Sequence, residues 1–161
     1  TRAEAFGRLE SASNNPRDPG PHLGVLFCDV DDFKDVNDTW GHAVGDVVLA
    51  TLAARVTESI RQGDSVGRVG GDEMLVALPC LHSVDEAVES AEKIRRRAAE
   101  PIEHAGNTIR VTVSIGATIA VPDDTVSSIT ARADAAMYHA KSADRNTVIP
   151  IEPTRRSPAV S

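Results

Sequence analysis

The spacing of apolar residues along the chain predicts four helices and five strands. Residues 23–30 are apolar at almost every position, which is typical of a central strand covered on both faces. Residues 108–120 alternate instead, so that Val111, Val113 and Ile115 share one face. Helical spacing marks helices over 2–13, 44–61, 84–98 and 126–141, and shorter apolar runs mark strands over 66–69, 74–78 and 147–149.

The order of these elements predicts the fold class. From residue 23 onward they follow the order β-α-β-β-α-β-α-β, in which two adjacent strands form a hairpin. The helices must cover the sheet in order to bury its apolar faces. We therefore expect an α/β protein of the α+β sandwich type, with a mainly antiparallel central sheet flanked by helices. It should form one domain over residues 1–152, followed by a tail or linker over 153–161.

Composition narrows the possible partners. The 161 residues carry 24 acidic and 17 basic side chains, whereas a general nucleic-acid binder has a basic balance or a basic patch. We therefore expect no nucleic-acid partner. No stretch has the length of a membrane span, and no signal-peptide pattern is recognisable. Cys28 and Cys80 lack the spacing of a zinc site, and we expect two buried thiols.

Two glycines directly precede two carboxylates at the turn of the predicted hairpin. Gly70 and Gly71 permit a tight turn and let backbone N–H groups approach a ligand closely. Asp72 and Glu73 can supply oxygen ligands to a hard metal ion. The run favours a hairpin tip that binds metal and phosphate, although the same residues also make a good surface turn.

A second polar run directly follows the strand 23–30. The sequence from Asp29 to Asp46 contains every fixed position of the pattern D-x-D-x-F-K-x-x-N-D-x-x-G-H-x-x-G-D. Together with residues 70–74, 133–141 and 145–146, it resembles the GGDEF family of diguanylate cyclases. The resemblance covers roughly residues 1–149, and it is specific because four separated motifs occur in the family's order and spacing.

This resemblance implies a ferredoxin-like fold akin to nucleotidyl cyclases and polymerase palms, and it assigns a metal site. The implied metal-binding groups are the carboxylates of Asp29 and Asp72 and the backbone carbonyl of Val30. Asp72 and Glu73 would be the catalytic residues. The implied cofactor is Mg²⁺ (or Mn²⁺), which takes oxygen ligands together with substrate phosphates.

The resemblance also implies a binding site for GTP. The substrate-binding positions would be Asp32, Phe33, Lys34, Asn37, His42, Asp46, Arg68, Gly70, Gly71, Lys141 and Arg145. A triphosphate needs backbone N–H donors and cations. Guanine presents donors and an acceptor, which suits the amide of Asn37, and Asp46 adds further acceptors. His42 is equally well explained as a structural histidine that fixes the loop.

The implied reaction condenses two GTP into cyclic di-GMP and releases two pyrophosphates. One domain holds one GTP, so catalysis would need a homodimer in which two domains face each other with two-fold symmetry. Arg61 and Asp64 form an R-x-x-D shortly before Gly70, a spacing similar to that of the family's inhibitory site for cyclic di-GMP. An Arg at a helix end with an Asp in the next turn is also common.

Three features depart from the family pattern. Met74 replaces the usual Phe and should fill an apolar pocket, and Asp144 replaces a glycine. The family's opening D-x-L-T-G-L is missing, so we expect a fragment of a longer protein that lacks part of an N-terminal segment.

Two alternative functions stay open. A catalytically silent GGDEF module would bind GTP or cyclic di-GMP and regulate a neighbouring domain, although the intact Asp29, Asp72 and Glu73 argue against it. A nucleotidyl cyclase for ATP is disfavoured if Asn37 and Asp46 bind guanine. We expect a cytoplasmic location, either free or within a membrane-anchored protein, and covalently linked sensor or EAL-type domains in the full-length chain.

Overall fold

The computed structural model describes residues 21–153, which form a five-stranded sheet, a separate small hairpin and four helices. In chain order the elements are β1 (His22–Val30), α1 (Phe33–Trp40), α2 (His42–Ser59), β2 (Ser65–Arg68), β3 (Glu73–Leu81), α3 (Val84–Ala98), β4 (Ile102–His104), β5 (Asn107–Ile109), β6 (Val113–Ile119), α4 (Val126–Ser142) and β7 (Val148–Pro150). The sheet has the order β2-β3-β1-β6-β7, and only its β6–β7 pair is parallel. The predicted fold class, a mainly antiparallel sheet flanked by helices, is therefore confirmed.

Alternate residues of β1 enter two different apolar cores, one on each face of the sheet. Leu26, Cys28 and Val30 belong to the larger core, which α1, α2 and α3 cover. Val25 and Phe27 belong to the smaller core beneath α4. Burial on both faces fixes the end of β1 between the two helical layers.

Helix α4 packs close to the sheet because Gly116 of β6 has no side chain. A Cβ at Gly116 would lie 2.1 Å from the Ala133 carbonyl oxygen and 2.4 Å from the Met137 backbone nitrogen. Thr125 and Ser128 begin this helix with a capping box, in which each side chain accepts the other residue's backbone N–H. The close packing brings the last turn of α4 to the end of β1.

Three elements differ from the sequence-based expectation, and one of them is the short strand β4, which was not predicted. Helix α1 was not predicted, because its apolar positions Phe33, Val36 and Trp40, although at helical spacing, span only eight residues, which is short for a periodicity assignment. The predicted strand 108–120 is two strands, β5 and β6. Thr112 between them accepts a hydrogen bond from the Asp31 N–H at 2.8 Å instead of continuing the β5 ladder. β6 is buried at every position, since α4 covers its second face.

The prediction of two buried thiols is wrong for Cys80. Cys28 is buried, and its burial raises the pKa of the thiol to about 12. Cys80 is exposed and has a φ of +67°. Pro79 and Cys80 lie at an irregularity in the pairing of β3 with β1, where β3 has extra residues. Such a bulge turns Cys80 away from the sheet.

The predicted helix 2–13 and nearly all of the predicted tail 153–161 lie outside the described residues. Within residues 21–153, no helix combines the length and apolar character that crossing a membrane requires.

Candidate active site

The end of β1 and the tip of the β2–β3 hairpin lie side by side. Asp29 pairs with Glu73 of β3 on one side and with Ser114 of β6 on the other. The backbone N–H of Val30 donates to the carbonyl oxygen of Asp72 at 3.1 Å. Antiparallel pairing therefore brings three of the predicted site carboxylates to one end of the sheet.

Lys141 reaches this point from the last turn of α4. Its ammonium donates to the carbonyl oxygen of Val30 at 2.8 Å and lies 3.1 Å from Oδ1 of Asp29. Burial raises the pKa of Asp29 to about 6. Lys141 opposes this rise, and the negative charges of Asp72 and Glu73 add to it. Asp29 is thus a carboxylate that needs a nearby positive charge to stay ionised at lower pH.

Glu73 is the second carboxylate with a raised pKa. Burial is the largest cause, and the charges of Asp72 and Asp134 raise the pKa further, while Lys141 lowers it. A carboxylate with a raised pKa holds a proton more readily than a free one does. Glu73 is therefore suited to accept a proton from a hydroxyl group beside the sheet.

The hairpin tip is tied together by its own residues. The guanidinium of Arg68 donates to the carbonyl oxygen of Gly71, and the Val69 N–H donates to the carbonyl oxygen of Glu73 at 3.1 Å. Gly70 and Gly71 are exposed. The tip therefore presents accessible backbone next to the carboxylates.

Backbone donors and cations meet at the start of α1. Asp32 precedes the helix with a left-handed φ of +53°, and Phe33 is the first helical residue. Nη1 of Arg145 lies 3.0 Å from Oδ1 of Asp32, and Lys34 is exposed in the first helical turn. N–H groups at a helix start combined with nearby cations are what a phosphate group requires.

Asn37 of α1 packs directly against α2. A Cβ at Gly45 would lie 2.0 Å from Oδ1 of Asn37 and 3.2 Å from Cζ of Phe33. Only glycine leaves room for the amide in this position. His42 and Asp46 are both exposed near the start of α2, and Asp46 directly follows Gly45. The corner between α1 and α2 therefore gathers the residues that were predicted to contact guanine.

Asp31 is a site residue that the sequence did not single out. Its carboxylate accepts hydrogen bonds from the hydroxyls of Thr112 and Ser114, both at 2.6 Å, and from the Asn146 N–H at 2.8 Å. Burial alone would raise its pKa, but these hydrogen bonds outweigh burial and lower it. The only sequence signal is its place as the second aspartate of D-x-D, because its partners lie 81 to 115 residues away.

The donors fit a divalent ion that also binds phosphate. Within the described part of the chain, no three His, Cys, Asp or Glu side chains are close enough to hold a metal by themselves. The predicted set instead consists of two carboxylates and a carbonyl, which phosphate oxygens would complete. Oδ1 of Asp29 supports this set, since it is buried and lies 3.1 Å from the Lys141 ammonium, which also contacts the Val30 carbonyl oxygen, so both oxygens already face one positive charge.

The R-x-x-D segment forms a turn after α2, away from these carboxylates. Oδ2 of Asp64 accepts the Arg61 N–H at 2.8 Å, and the Asp64 N–H donates to the Arg61 carbonyl oxygen at 3.1 Å. This turn lines a groove of about 520 Å³, which Cys80 of β3 and Lys93 of α3 also line. The side chain of Asp64 therefore shapes the turn, while Arg61 is exposed at the groove.

Comparison with known sequences points to one family. The family model described as "Diguanylate cyclase, GGDEF domain" matches residues 1–147. The bifunctional diguanylate cyclase/cyclic di-GMP phosphodiesterase MucR of Pseudomonas aeruginosa is 37% identical over 140 residues, which make up 86% of this chain and 20% of MucR. Diguanylate cyclase TpbB of the same organism is 39% identical over 143 residues, which make up 87% of this chain and 33% of TpbB.

Solved structures share the fold. The GGDEF domain of TpbB has a TM-score of 0.88 and 37% identity, with 95% of this chain and 96% of that one covered. The GGDEF domain of DgcB from Caulobacter crescentus, solved in complex with c-di-GMP, has a TM-score of 0.85 and 27% identity, with 92% and 86% covered. The chain thus spans most of these domain structures, but only a fifth to a third of the length of the curated relatives.

Proposed function

Because this chain belongs to the GGDEF family of diguanylate cyclase domains, we propose that it condenses two GTP molecules into cyclic di-GMP and two pyrophosphates. The observation that carries the proposal is the meeting of Asp29, Glu73 and Lys141 at the end of β1. Carboxylates and a cation in this arrangement suit the transfer of a nucleotidyl group to a hydroxyl. We propose the same diguanylate cyclase activity for a full-length protein that contains this domain.

GTP is held through its phosphates and through its base. The guanine lies at the corner of α1 and α2, where Asn37 offers a donor and an acceptor and Asp46 offers acceptors. The room that Gly45 leaves for the Asn37 amide supports this placement. The phosphates contact the N–H groups of Asp32 and Phe33, the hairpin backbone of Gly70 and Gly71, and the side chains of Lys34, Arg68, Lys141 and Arg145.

A Mg²⁺ ion, or Mn²⁺ in its place, would be held by the carboxylates of Asp29 and Asp72 and by the carbonyl oxygen of Val30. When bound, it offsets phosphate charge and lowers the pKa of the attacking hydroxyl. Lys141 contacts two of these three groups, so it must turn toward the phosphates when the site is loaded. Its charge then acts on the substrate instead of on Asp29.

Each of the two steps forms one phosphodiester. The 3′-hydroxyl of one GTP attacks the α-phosphorus of the other, the bond from that phosphorus to the pyrophosphate oxygen breaks, and the hydroxyl proton passes to a carboxylate. Glu73 suits this last role because burial and neighbouring acids raise its pKa. Lys141 and Arg145 offset the charge of the leaving pyrophosphate.

Catalysis and its control both involve more than one nucleotide. One domain supplies one guanine site, so two copies must face each other as a two-fold homodimer.

The product, cyclic di-GMP, inhibits by binding the groove at Arg61 and Asp64. An exposed guanidinium can bind phosphate bidentately or stack on guanine, and Lys93 adds a second cation to the groove.

The proposed location is the cytoplasm, where GTP is available, either free or as the cytoplasmic part of a membrane-anchored protein. The chain spans a fifth to a third of its curated relatives. We therefore propose that the full-length protein also carries a linked sensor or EAL-type domain.

Incubation of the purified domain at high concentration with GTP and Mg²⁺, followed by chromatographic detection of cyclic di-GMP, tests the function. Product that vanishes in Asp72→Ala supports it. Bound GTP without product, even after fusion to a dimeric coiled coil, would favour the silent module. Turnover of ATP in place of GTP would favour a different nucleotidyl cyclase.

A further inference from the structure

Asp31 is buried beside the proposed active site, yet the reaction described above gives it no role. Only 5% of the residue is exposed. Its Oδ1 accepts the Ser114 hydroxyl and its Oδ2 accepts the Thr112 hydroxyl, both at 2.6 Å. Oδ2 also accepts the backbone N–H of Asn146 at 2.8 Å. A buried carboxylate with three donors is a rigid anchor, because losing any of them leaves its charge poorly compensated.

The segment that Asp31 anchors has an unfavourable backbone. Arg145 and Asn146 both adopt left-handed φ values, +53° and +43°, which are costly for Arg and less costly for Asn. Asn146 is held from a second side, since its Oδ1 accepts a hydrogen bond from Arg95 of α3 at 3.0 Å. Arg95 is fixed in turn by Glu92 at 2.7 Å. The segment therefore keeps this conformation because Asp31, directly after β1, and Arg95 of α3 both hold it.

Asp31 lies next to two cations, one through this segment and one directly. Arg145 directly precedes Asn146, and its guanidinium reaches Asp32 at 3.0 Å. The ammonium of Lys141 lies 3.4 Å from Oδ1 of Asp31 itself. We propose that Asp31 is a positioning residue that keeps Lys141 and Arg145 within reach of the triphosphate of GTP. This inference rests on the proposed function for its ligand, but not on turnover.

The first test removes the charge of Asp31 and keeps its shape. Asp31→Asn weakens the hold on the Asn146 N–H and on Lys141. Binding is measured by calorimetry with Mg²⁺ and two probes. One is 3′-deoxy-GTP, which lacks the attacking hydroxyl, and the other is inorganic tripolyphosphate, which needs the cations but no guanine site. We expect both probes to bind about tenfold more weakly.

A matched control, Asp124→Asn, separates positioning from a general loss of stability. Asp124 has a side chain only 7% exposed and pairs with Arg132 at 2.7 Å. Its loss should lower the unfolding temperature and leave the affinity for both probes unchanged.

An independent variant, Arg95→Gln, removes the second hold on Asn146 and should weaken both probes about threefold. Unchanged binding in Asp31→Asn, or an equal loss in Asp124→Asn, would overturn the inference. If Asp31→Asn does not fold, unchanged binding in Arg95→Gln would overturn it.

Wild-type protein that binds tripolyphosphate but not 3′-deoxy-GTP would count against GTP as the substrate. The role of Asp31 would then be decided with tripolyphosphate. Wild-type protein that binds neither probe would overturn both proposals.

Discussion

The ammonium of Lys141 lies 3.1 Å from Oδ1 of Asp29, and the same ammonium donates to the Val30 carbonyl oxygen at 2.8 Å. These two oxygens are also two of the three groups proposed to hold Mg²⁺. Two positive charges cannot share them without strong repulsion. Lys141 and the metal ion are therefore expected to compete until bound phosphates draw the ammonium away.

Lys141→Met should affect metal and nucleotide in opposite directions. Without the ammonium, Mg²⁺ should bind more tightly in the absence of nucleotide. GTP should bind roughly 10- to 100-fold more weakly, because a hydrogen bond to a charged group contributes about 1.5–3 kcal/mol. Calorimetric titration with Mg²⁺ and with 3′-deoxy-GTP measures both effects.

The control for this prediction is Lys34→Met. Lys34 is exposed on α1 and makes no ion pair with Asp29. Its loss should weaken 3′-deoxy-GTP binding and leave the Mg²⁺ affinity unchanged. If Lys141→Met weakens Mg²⁺ binding, the competition model is wrong.

The raised pKa of Asp29 predicts that metal binding depends on pH. Burial raises this pKa from the ordinary 3.8 to about 6. Because the pKa is higher in the folded protein than in the unfolded chain, protonated Asp29 stabilises the fold below about pH 4, and this contribution is lost as the pH rises through about 6.

Mg²⁺ binds the ionised carboxylate, so the increase in unfolding temperature caused by Mg²⁺ should grow between pH 5 and about 7. Thermal unfolding with and without Mg²⁺ measures this, and Asp29→Asn should remove the dependence. An equal Mg²⁺ effect at both pH values would contradict the assignment.

Gly45→Ala should disturb the guanine site through Asn37. The added Cβ would lie 2.0 Å from Oδ1 of Asn37, so the amide must move. We expect GTP binding to weaken about tenfold or more, because the displaced amide loses its hydrogen bonds to the base. The double variant Asn37→Ala/Gly45→Ala provides the control. With the amide absent, adding the Cβ should cost little more than Asn37→Ala alone, and additive losses would argue against the steric mechanism.

The parts of the site that the sequence predicts are those encoded locally. The apolar run of β1 and the glycine pair of the hairpin each lie within a few residues, and pairing adjacent strands then brings Asp29 beside Glu73. Asp31 has no such local signal, since its partners Ser114 and Asn146 lie 83 and 115 residues away. A buried polar network depends on the final packing, and periodicity carries no information about it.

The elements that were wrongly assigned from the sequence also depend on the final packing. Helix α1 has an apolar stripe of Phe33, Val36 and Trp40, but the stripe covers only eight residues, so contacts with α2 help to hold the helix. Cys80 lies in an apolar run, yet an irregularity in the β1–β3 pairing exposes it. Strand register is a property of two strands together, and the sequence of one strand alone does not determine it.

Met74, the departure from the family's Phe, should affect stability more than chemistry. Its side chain is buried in the larger core, which agrees with the expectation that it fills an apolar pocket. Met74→Ala should lower the free energy of unfolding by about 2–5 kcal/mol, because the removed atoms leave a cavity. Met74→Leu should cost less than about 1.5 kcal/mol. Denaturant titration measures both, and KM for GTP should stay close to the wild-type value. A large rise in KM for Met74→Leu would show that this position shapes the substrate site directly.

The R-x-x-D turn allows the two proposed functions of its residues to be separated. Asp64 accepts the Arg61 N–H, so Asp64→Ala should lose both the turn and the inhibitor contact, with about 1 kcal/mol of stability. Asp64→Asn keeps an oxygen for the turn but removes the charge, and Arg61→Ala leaves the backbone turn intact. Initial rates measured at increasing cyclic di-GMP should show relief of inhibition in all three variants, whereas only Asp64→Ala should unfold at a lower temperature. Lys93→Ala should relieve inhibition in part, because Lys93 lines the same groove. Inhibition of Arg61→Ala at the wild-type concentration of cyclic di-GMP would place the inhibitory site elsewhere on the domain.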